Sequence, residues 1–131
     1  MDEKDRLNQI TSDIIAAAIE VHRALGPGLL ESAYEARVTF GLTERGRTVE
    51  TQKPLPVIYK SVRLDCGYRI DLLVDSLVIV EIKAIERLMP INDAQLLSYL
   101  KLSDCKVGLL INFNVMILKN GIRRIVNNFP E

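Results

Sequence analysis

Three charged side chains lie within one otherwise apolar stretch of the chain, and their types make them the strongest candidates for chemistry. Asp71, Glu81 and Lys83 belong to the segment Gly67–Ala84, in which two apolar, β-branched runs flank a short polar turn at residues 75–76. This pattern predicts a β-hairpin.

The length of the turn decides whether the three side chains meet. If the loop has three residues, 75–77, Asp71 falls directly opposite Glu81 and shares a sheet face with it. Lys83 lies on the same face, because side chains repeat every second residue along a strand. A two-residue loop would shift the register and leave the carboxylates diagonal to each other.

Carboxylates that face each other repel unless a cation or a proton relieves them. Closely spaced hard oxygen ligands suit Mg²⁺ or Mn²⁺, which proteins bind through one or two carboxylates plus substrate phosphate. The cluster therefore predicts metal-assisted phosphodiester chemistry. An alternative interpretation is a surface-facing strand pair in which Asp71 or Glu81 forms a salt bridge with Lys83, since the spacing D-x9-E-x-K is a loose pattern by itself.

Size and composition indicate an ordinary globular protein. The 131 residues are expected to form one domain, residues 1–131, with 48% hydrophobic and 26% charged side chains. No apolar run approaches the roughly 20 residues that span a bilayer, and the charged N-terminus lacks a signal core, so we expect a cytoplasmic protein. Cys66 and Cys105 are too few for a disulfide framework or a zinc site and are expected to be buried thiols.

The net charge is zero, with 17 basic and 17 acidic side chains. A dedicated nucleic-acid binder usually carries a basic excess, because phosphate neutralisation dominates its affinity. Neutrality argues against tight, sequence-independent binding by a monomer. It is compatible with a nuclease whose acidic site offsets a local basic patch.

Two helices are predicted before the hairpin, over residues 5–25 and 29–44. Glu31 and Glu35 are four residues apart and share one face of the second helix. Glu31 either serves only the helix dipole in the first turn or points across at the hairpin as a further carboxylate. Tyr34 is predicted to lie in the core.

The third helix is predicted over residues 92–102. Asn92 and Gln95 resemble a capping box, and Gln95 and Tyr99 share one helical face. Either Gln95 caps the helix while Tyr99 packs, or both side chains line a groove beside the metal site.

The remaining elements are strands. Besides the hairpin, they are predicted over residues 48–52, 55–59, 62–66, 107–113, 115–118 and 122–126. The last two are expected to pair across a turn at Asn120-Gly121. The order of helix, helix, strands, helix and strands predicts an α/β fold in which helices flank one mixed sheet.

Several motifs, taken in chain order, are similar to one known family. The first is Gly28-Leu-Leu-Glu31-Ser-Ala-Tyr34. The others are residues 21–31, 70–74, 80–84, 94–101 and 110–113. Together they resemble the GxxExxY proteins, a small bacterial and archaeal family placed in the PD-(D/E)XK nuclease superfamily, and the similarity covers residues 14–126.

The resemblance implies a restriction-endonuclease-like core with the element order αα-βββ(β)-α-ββ. Asp71 and Glu81 would bind Mg²⁺ or Mn²⁺ together with the Ile82 carbonyl, and Glu31 would complete the metal site. Lys83 would contact the attacking water or the scissile phosphate. We expect Lys83 to orient and to stabilise transition-state charge, with a role as general base only secondary.

Gln95 and Tyr99 resemble the Q-x3-Y pair of the RecB-like branch, which helps position substrate or catalytic groups. By superfamily habit, DNA is the expected substrate rather than RNA. Two other functions stay open. One is a non-catalytic nucleic-acid-binding or adaptor module, and the other is a homodimer or a subunit of a larger complex, because a core of this size has little surface for gripping a duplex.

Overall fold

A computed structural model describes all 131 residues as three helices, seven strands and one short 3-10 helix. The elements are α1 Glu3–Leu25, α2 Glu31–Glu44, β1 Val49–Pro54, β2 Val57–Tyr59, β3 Val62–Leu64, β4 Arg69–Val74, β5 Val78–Lys83, α3 Pro90–Ser103, β6 Val107–Asn112, the 3-10 helix Leu118–Gly121 and β7 Ile122–Val126.

Five strands form one mixed sheet in the order β1-β4-β5-β6-β7. β5 and β6 are parallel, and the other neighbours are antiparallel. The parallel pair is joined through α3, as a crossover between parallel strands requires. β2 and β3 form a separate two-stranded hairpin. The predicted mixed sheet flanked by helices is confirmed.

Helices cover both faces of this sheet, and the sheet separates the core into two clusters. Val80 and Ile82 of β5 pack in the larger cluster, with α1 and α2. Ile79 packs in the smaller one, with Leu96 of α3. Because side chains alternate along a strand, Glu81 belongs to the face covered by α3. An ionisable group thus occupies a position that packing would otherwise give to an apolar residue.

The predicted strand over residues 115–118 is wrong, and so is its hairpin. This segment bends and leads into the 3-10 helix, and β7 pairs with β6 instead. The side chain of Leu118 is buried in the larger cluster, which draws the segment onto the core. Gly121 then passes so close to the carbonyl of Asn112 that a Cβ there would clash.

Smaller differences concern element ends and exposure. α3 begins at Pro90 rather than at residue 92. Proline is tolerated at the start of a helix, because the backbone N–H that it lacks would have no hydrogen-bond partner in the first turn. Cys105 is buried as predicted, but the prediction for Cys66 is wrong, since it is exposed in the segment after β3. None of the helices has the length and apolar character needed to cross a membrane.

Candidate active site

The β4–β5 hairpin has the three-residue turn that brings the two acids together. Val74 pairs with Val78 across residues 75–77. Both polar residues of the turn adopt left-handed backbone angles, with φ of 52° and 58°. Continuing this register places Asp71 opposite Glu81, so the condition set by the sequence pattern is met.

Regular pairing between β4 and β5 ends just before the acids, whose side chains complete the hairpin. The backbone N–H of Asp71 donates to Glu81 Oε2 at 2.8 Å. The backbone N–H of Ile82 donates to Asp71 Oδ2 at 2.8 Å. Each carboxylate therefore takes the place of a ladder acceptor, and one oxygen of each is fixed by a main-chain donor.

Glu81 is a buried carboxyl group, only 4% exposed. Burial, and secondarily the charge of Asp71, raises the pKa of Glu81 to about 8, although the Asp71 N–H and the Lys83 charge act in the opposite direction. No ion pair within 4.0 Å involves any of the three residues. The salt-bridge interpretation is therefore wrong, and neither acid has an ion-pair partner within the chain.

Lys83 lies at the end of β5, half-buried and without a hydrogen bond from its ammonium group. Its backbone is held firmly, because its carbonyl accepts from Phe113 N at 2.9 Å. The buried Asn112 fixes the chain that follows, accepting from Ile85 N and donating to the Ile85 carbonyl. An ammonium group without a hydrogen-bond partner thus extends from a hydrogen-bonded backbone beside the acids.

Glu31 reaches the same end of the hairpin from the first turn of α2. Its Oε2 accepts from Ala84 N at 3.0 Å, immediately after Lys83 in the chain. The carboxylate also lies in the first turn of α2, where the helix dipole favours an acid. The position of Glu31 therefore fits both a role in stabilising the helix and a role as a further carboxylate beside the hairpin.

Tyr34 holds the start of α2 in place and is fully buried, as predicted. Its hydroxyl donates to the Gly26 carbonyl at 2.6 Å and accepts from Leu29 N at 3.1 Å. Its ring stacks on Phe113, with 4.4 Å between ring centroids. Tyr34 thereby joins the loop before α2 to Phe113, which directly follows β6, and anchors the start of the helix that carries Glu31.

Gln52 contacts Asp71 and links it to Glu35, and neither Gln52 nor Glu35 was predicted as a site residue. Gln52 of β1 donates from Nε2 to Glu35 Oε1 at 2.8 Å and to Asp71 Oδ1 at 3.2 Å. Burial raises the pKa of Glu35, and the charges of Asp71 and Glu31 act in the same direction, whereas the Gln52 hydrogen bond lowers it. The four-residue spacing from Glu31 indicated Glu35, but nothing in the short strand indicated Gln52.

Gln95 and Tyr99 line one groove between α3 and the β2–β3 hairpin, with a volume of about 500 Å³. Gln95 does not cap α3, because the cap is formed by Asn92, whose Oδ1 accepts from Met89 N. Burial raises the pKa of Tyr99, and the charges of Glu81, Tyr68 and Asp71 raise it further. Tyr99 also packs in the smaller core cluster with Ile79 of β5, so the groove lies on the sheet face to which Glu81 belongs.

The donor set can be compared with the needs of a divalent cation. Asp71, Glu81, Glu31 and the Ile82 carbonyl offer hard oxygens, which Mg²⁺ and Mn²⁺ prefer. The facing pair of Asp71 and the buried Glu81 fits a cation, since a proton or a metal must relieve the repulsion between two adjacent carboxylates. However, no three acidic, histidine or cysteine side chains converge closely enough to hold a metal. Their oxygens are turned to backbone donors, Glu31 to Ala84 N among them.

The comparison with protein families gives one match. Residues 8–125 fit the family model described as the PD-(D/E)XK nuclease superfamily, which is most of the chain. No significant match was found among the curated proteins or among the solved structures.

Proposed function

Because the chain belongs to the PD-(D/E)XK nuclease superfamily, we propose that it is a divalent-metal-dependent nuclease that hydrolyses phosphodiester bonds in DNA rather than in RNA. The observation that supports this most directly is the pairing of Asp71 with the buried Glu81, since neither acid has an ion-pair partner. In this proposal residues 1–131 act as one nuclease-like domain. The narrower assignment to the GxxExxY proteins stays a prediction.

The proposed ligands are the carboxylates of Asp71, Glu81 and Glu31 and the carbonyl of Ile82. Ile82 N faces Asp71, and the N–H and C=O of one strand residue point to the same side, so its carbonyl is aimed at the gap where β4 and β5 part. Small side-chain rotations would release the carboxylate oxygens from their backbone donors. A divalent cation bound there would polarise a phosphate oxygen and make water a better nucleophile at neutral pH.

Lys83 is proposed to stabilise the charge that develops on the phosphate during attack. Its ammonium has no partner in the chain, so it can contact a phosphate oxygen without breaking an existing bond. Its fixed backbone restricts where that contact forms, and preorganised charge of this kind contributes strongly to catalysis. A role as proton acceptor is secondary.

The groove lined by Gln95 and Tyr99 is proposed to position the nucleic acid. No charged side chain lines it, and its walls include Tyr68 as a second aromatic ring. Such a lining suits a nucleobase better than a phosphate, because bases stack on aromatic rings and hydrogen-bond to amides. The phosphate would then lie toward the acids.

The test combines metal binding with cleavage. Mn²⁺ and Mg²⁺ are titrated calorimetrically into the wild type, Asp71→Asn and the control Glu86→Gln, which alters an exposed glutamate without an ion pair. The same samples are incubated with single-stranded, linear and circular DNA and with RNA. Metal binding and cleavage of DNA that are lost only in Asp71→Asn support the proposal. Cleavage that persists in that variant, or in EDTA, overturns it.

One observation favours a second candidate, a non-catalytic nucleic-acid-binding or adaptor module. No three acidic, histidine or cysteine side chains converge closely enough to hold a metal. This candidate predicts nucleic-acid binding that survives EDTA and the Asp71→Asn change, with no cleavage under any metal. Light scattering of the same samples tests whether the chain acts as a homodimer or needs a larger complex, since a stable monomer that cleaves would need neither.

A further inference from the structure

At Gln52 the pairing of β1 with β4 is interrupted, directly opposite Asp71. β1 pairs with β4 through residues 49–51 and again through residues 53–54, and the one position skipped is 52. In the same register, position 52 would face Asp71. The pairing is therefore lost only opposite Asp71, which is a proposed metal ligand.

The backbone at this position is left-handed, with φ of 50°. This region is unfavourable for a side chain such as glutamine, and glycine, asparagine and aspartate are the residues that usually occupy it. Unfavourable backbone of this kind persists only where surrounding contacts enforce it, and it clusters at functional sites. The consequence here is that the side chain of Gln52 is brought to Asp71 and Glu35.

The amide bridges two carboxylates. Gln52 Nε2 lies 2.8 Å from Glu35 Oε1 and 3.2 Å from Asp71 Oδ1. A side-chain NH₂ group has two hydrogens, and a carboxylate only accepts, so the nitrogen rather than the oxygen must face the acids. Both hydrogens are used, one for each carboxylate.

This bridge orients Asp71 without neutralising it. Asp71 Oδ2 accepts from Ile82 N and Oδ1 accepts from Gln52, so both oxygens are fixed. Each oxygen retains a further lone pair for a cation. A lysine or an arginine at position 52 would form an ion pair with Asp71 and compete with a metal, whereas a neutral amide does not.

We propose that Gln52 is a positioning residue, whose carboxamide, itself oriented by Glu35, holds the Asp71 carboxylate in the direction that metal binding requires. The inference rests on the proposed function in one respect, that Asp71 is a metal ligand. Residues that orient a ligand typically change metal affinity by about 10–100-fold when removed. The side chain of Gln52 is exposed, so its hydrogen bonds contribute little to folding.

The experiment measures Mn²⁺ affinity by calorimetry in Gln52→Met and Gln52→Gly. Methionine keeps the length of the side chain and removes its donors, while glycine also relieves the left-handed backbone. Both variants should bind Mn²⁺ about tenfold more weakly than the wild type. In urea, Gln52→Met should unfold like the wild type and Gln52→Gly should be more stable. The control is the same substitution at an exposed position of α1, Gln9→Met. It should change neither the Mn²⁺ affinity nor the stability in urea.

Two further readouts separate positioning from a structural role. Cleavage by Gln52→Met should recover at saturating Mn²⁺, because only affinity is impaired. The side-chain NH₂ resonances of Gln52 should shift in Asp71→Asn and in Glu35→Gln.

Equal Mn²⁺ affinity, within twofold, in the wild type and Gln52→Met overturns the inference while leaving the nuclease proposal intact. Weak binding by Gln52→Met that Gln52→Gly restores would assign the effect to the backbone, and this also overturns it. A wild type that binds no Mn²⁺ removes the proposed function, and the role of Gln52 with it.

Discussion

Replacing Glu81 by glutamine should stabilise the metal-free protein at neutral pH. Burial, together with the charge of Asp71, raises the pKa of Glu81 from 4.5 to about 8. The folded state therefore binds this proton more tightly than the unfolded state does. The stability that this proton supplies is complete below the unfolded pKa and is lost as the pH rises toward 8.

The size of the effect follows from the difference between the two pKa values. Each unit corresponds to about 1.4 kcal/mol, so ionisation should cost the wild type about 3 kcal/mol of unfolding free energy at pH 7. Glutamine removes the ionisation but keeps a side-chain oxygen for Asp71 N. Glu81→Gln should therefore exceed the wild type in stability by a margin that grows by about 1.4 kcal/mol per pH unit between pH 5 and pH 8.

The assay is urea unfolding in EDTA at each pH unit across that interval. Taking the difference between variant and wild type cancels the titration of the acids that do not interact with Glu81, and Glu86→Gln provides the same chemical change at an exposed position. Stability curves that run parallel for the wild type and Glu81→Gln would refute the reasoning. Added Mn²⁺ should then stabilise the wild type at pH 7 and leave Glu81→Gln nearly unchanged, because a ligand stabilises only the state that binds it.

Three other substitutions test separate parts of the site. Lys83→Met should lower cleavage by about a hundredfold or more without weakening Mn²⁺ binding, and a parallel loss of both would contradict a role in charge stabilisation. Tyr34→Phe keeps the stacked ring but removes two hydrogen bonds, so urea unfolding should show a loss of about 1–3 kcal/mol. Asn112→Ala leaves the backbone N–H of Ile85 without its partner and its carbonyl with only the longer bond from Asn114, and should cost about 1–3 kcal/mol by the same measurement, whereas wild-type stability would show that water replaces the amide.

The parts of the site that were predictable from the sequence depend on short-range periodicity. A turn of three residues determines which side chains of a hairpin face each other, so the opposition of Asp71 and Glu81 needed no knowledge of the rest of the fold. Helical spacing likewise placed Gln95 and Tyr99 on one face. These contacts are local in sequence, and local patterns encode them well.

The missed features depend on contacts between distant segments. Gln52 gains its role from β1 pairing with β4 and from Glu35 on α2, neither of which a short strand reveals. Residues 115–118 look like a strand, but burial of Leu118 against the core overrides that local preference. Cys66 is exposed because β3 ends at Leu64, whereas the predicted strand continued through residue 66.

The use of carboxylates as ladder acceptors has a consequence for how this site can evolve. Asparagine and glutamine carry the same acceptor oxygen as aspartate and glutamate, so a change of Asp71 or Glu81 to its amide can keep the hydrogen bonds that close the hairpin while removing the charge. In the genetic code each of these changes requires a single base. If the site binds metal as proposed, a lineage can therefore pass from it to an inert but folded site in one mutational step, with the sheet preserved for a binding role.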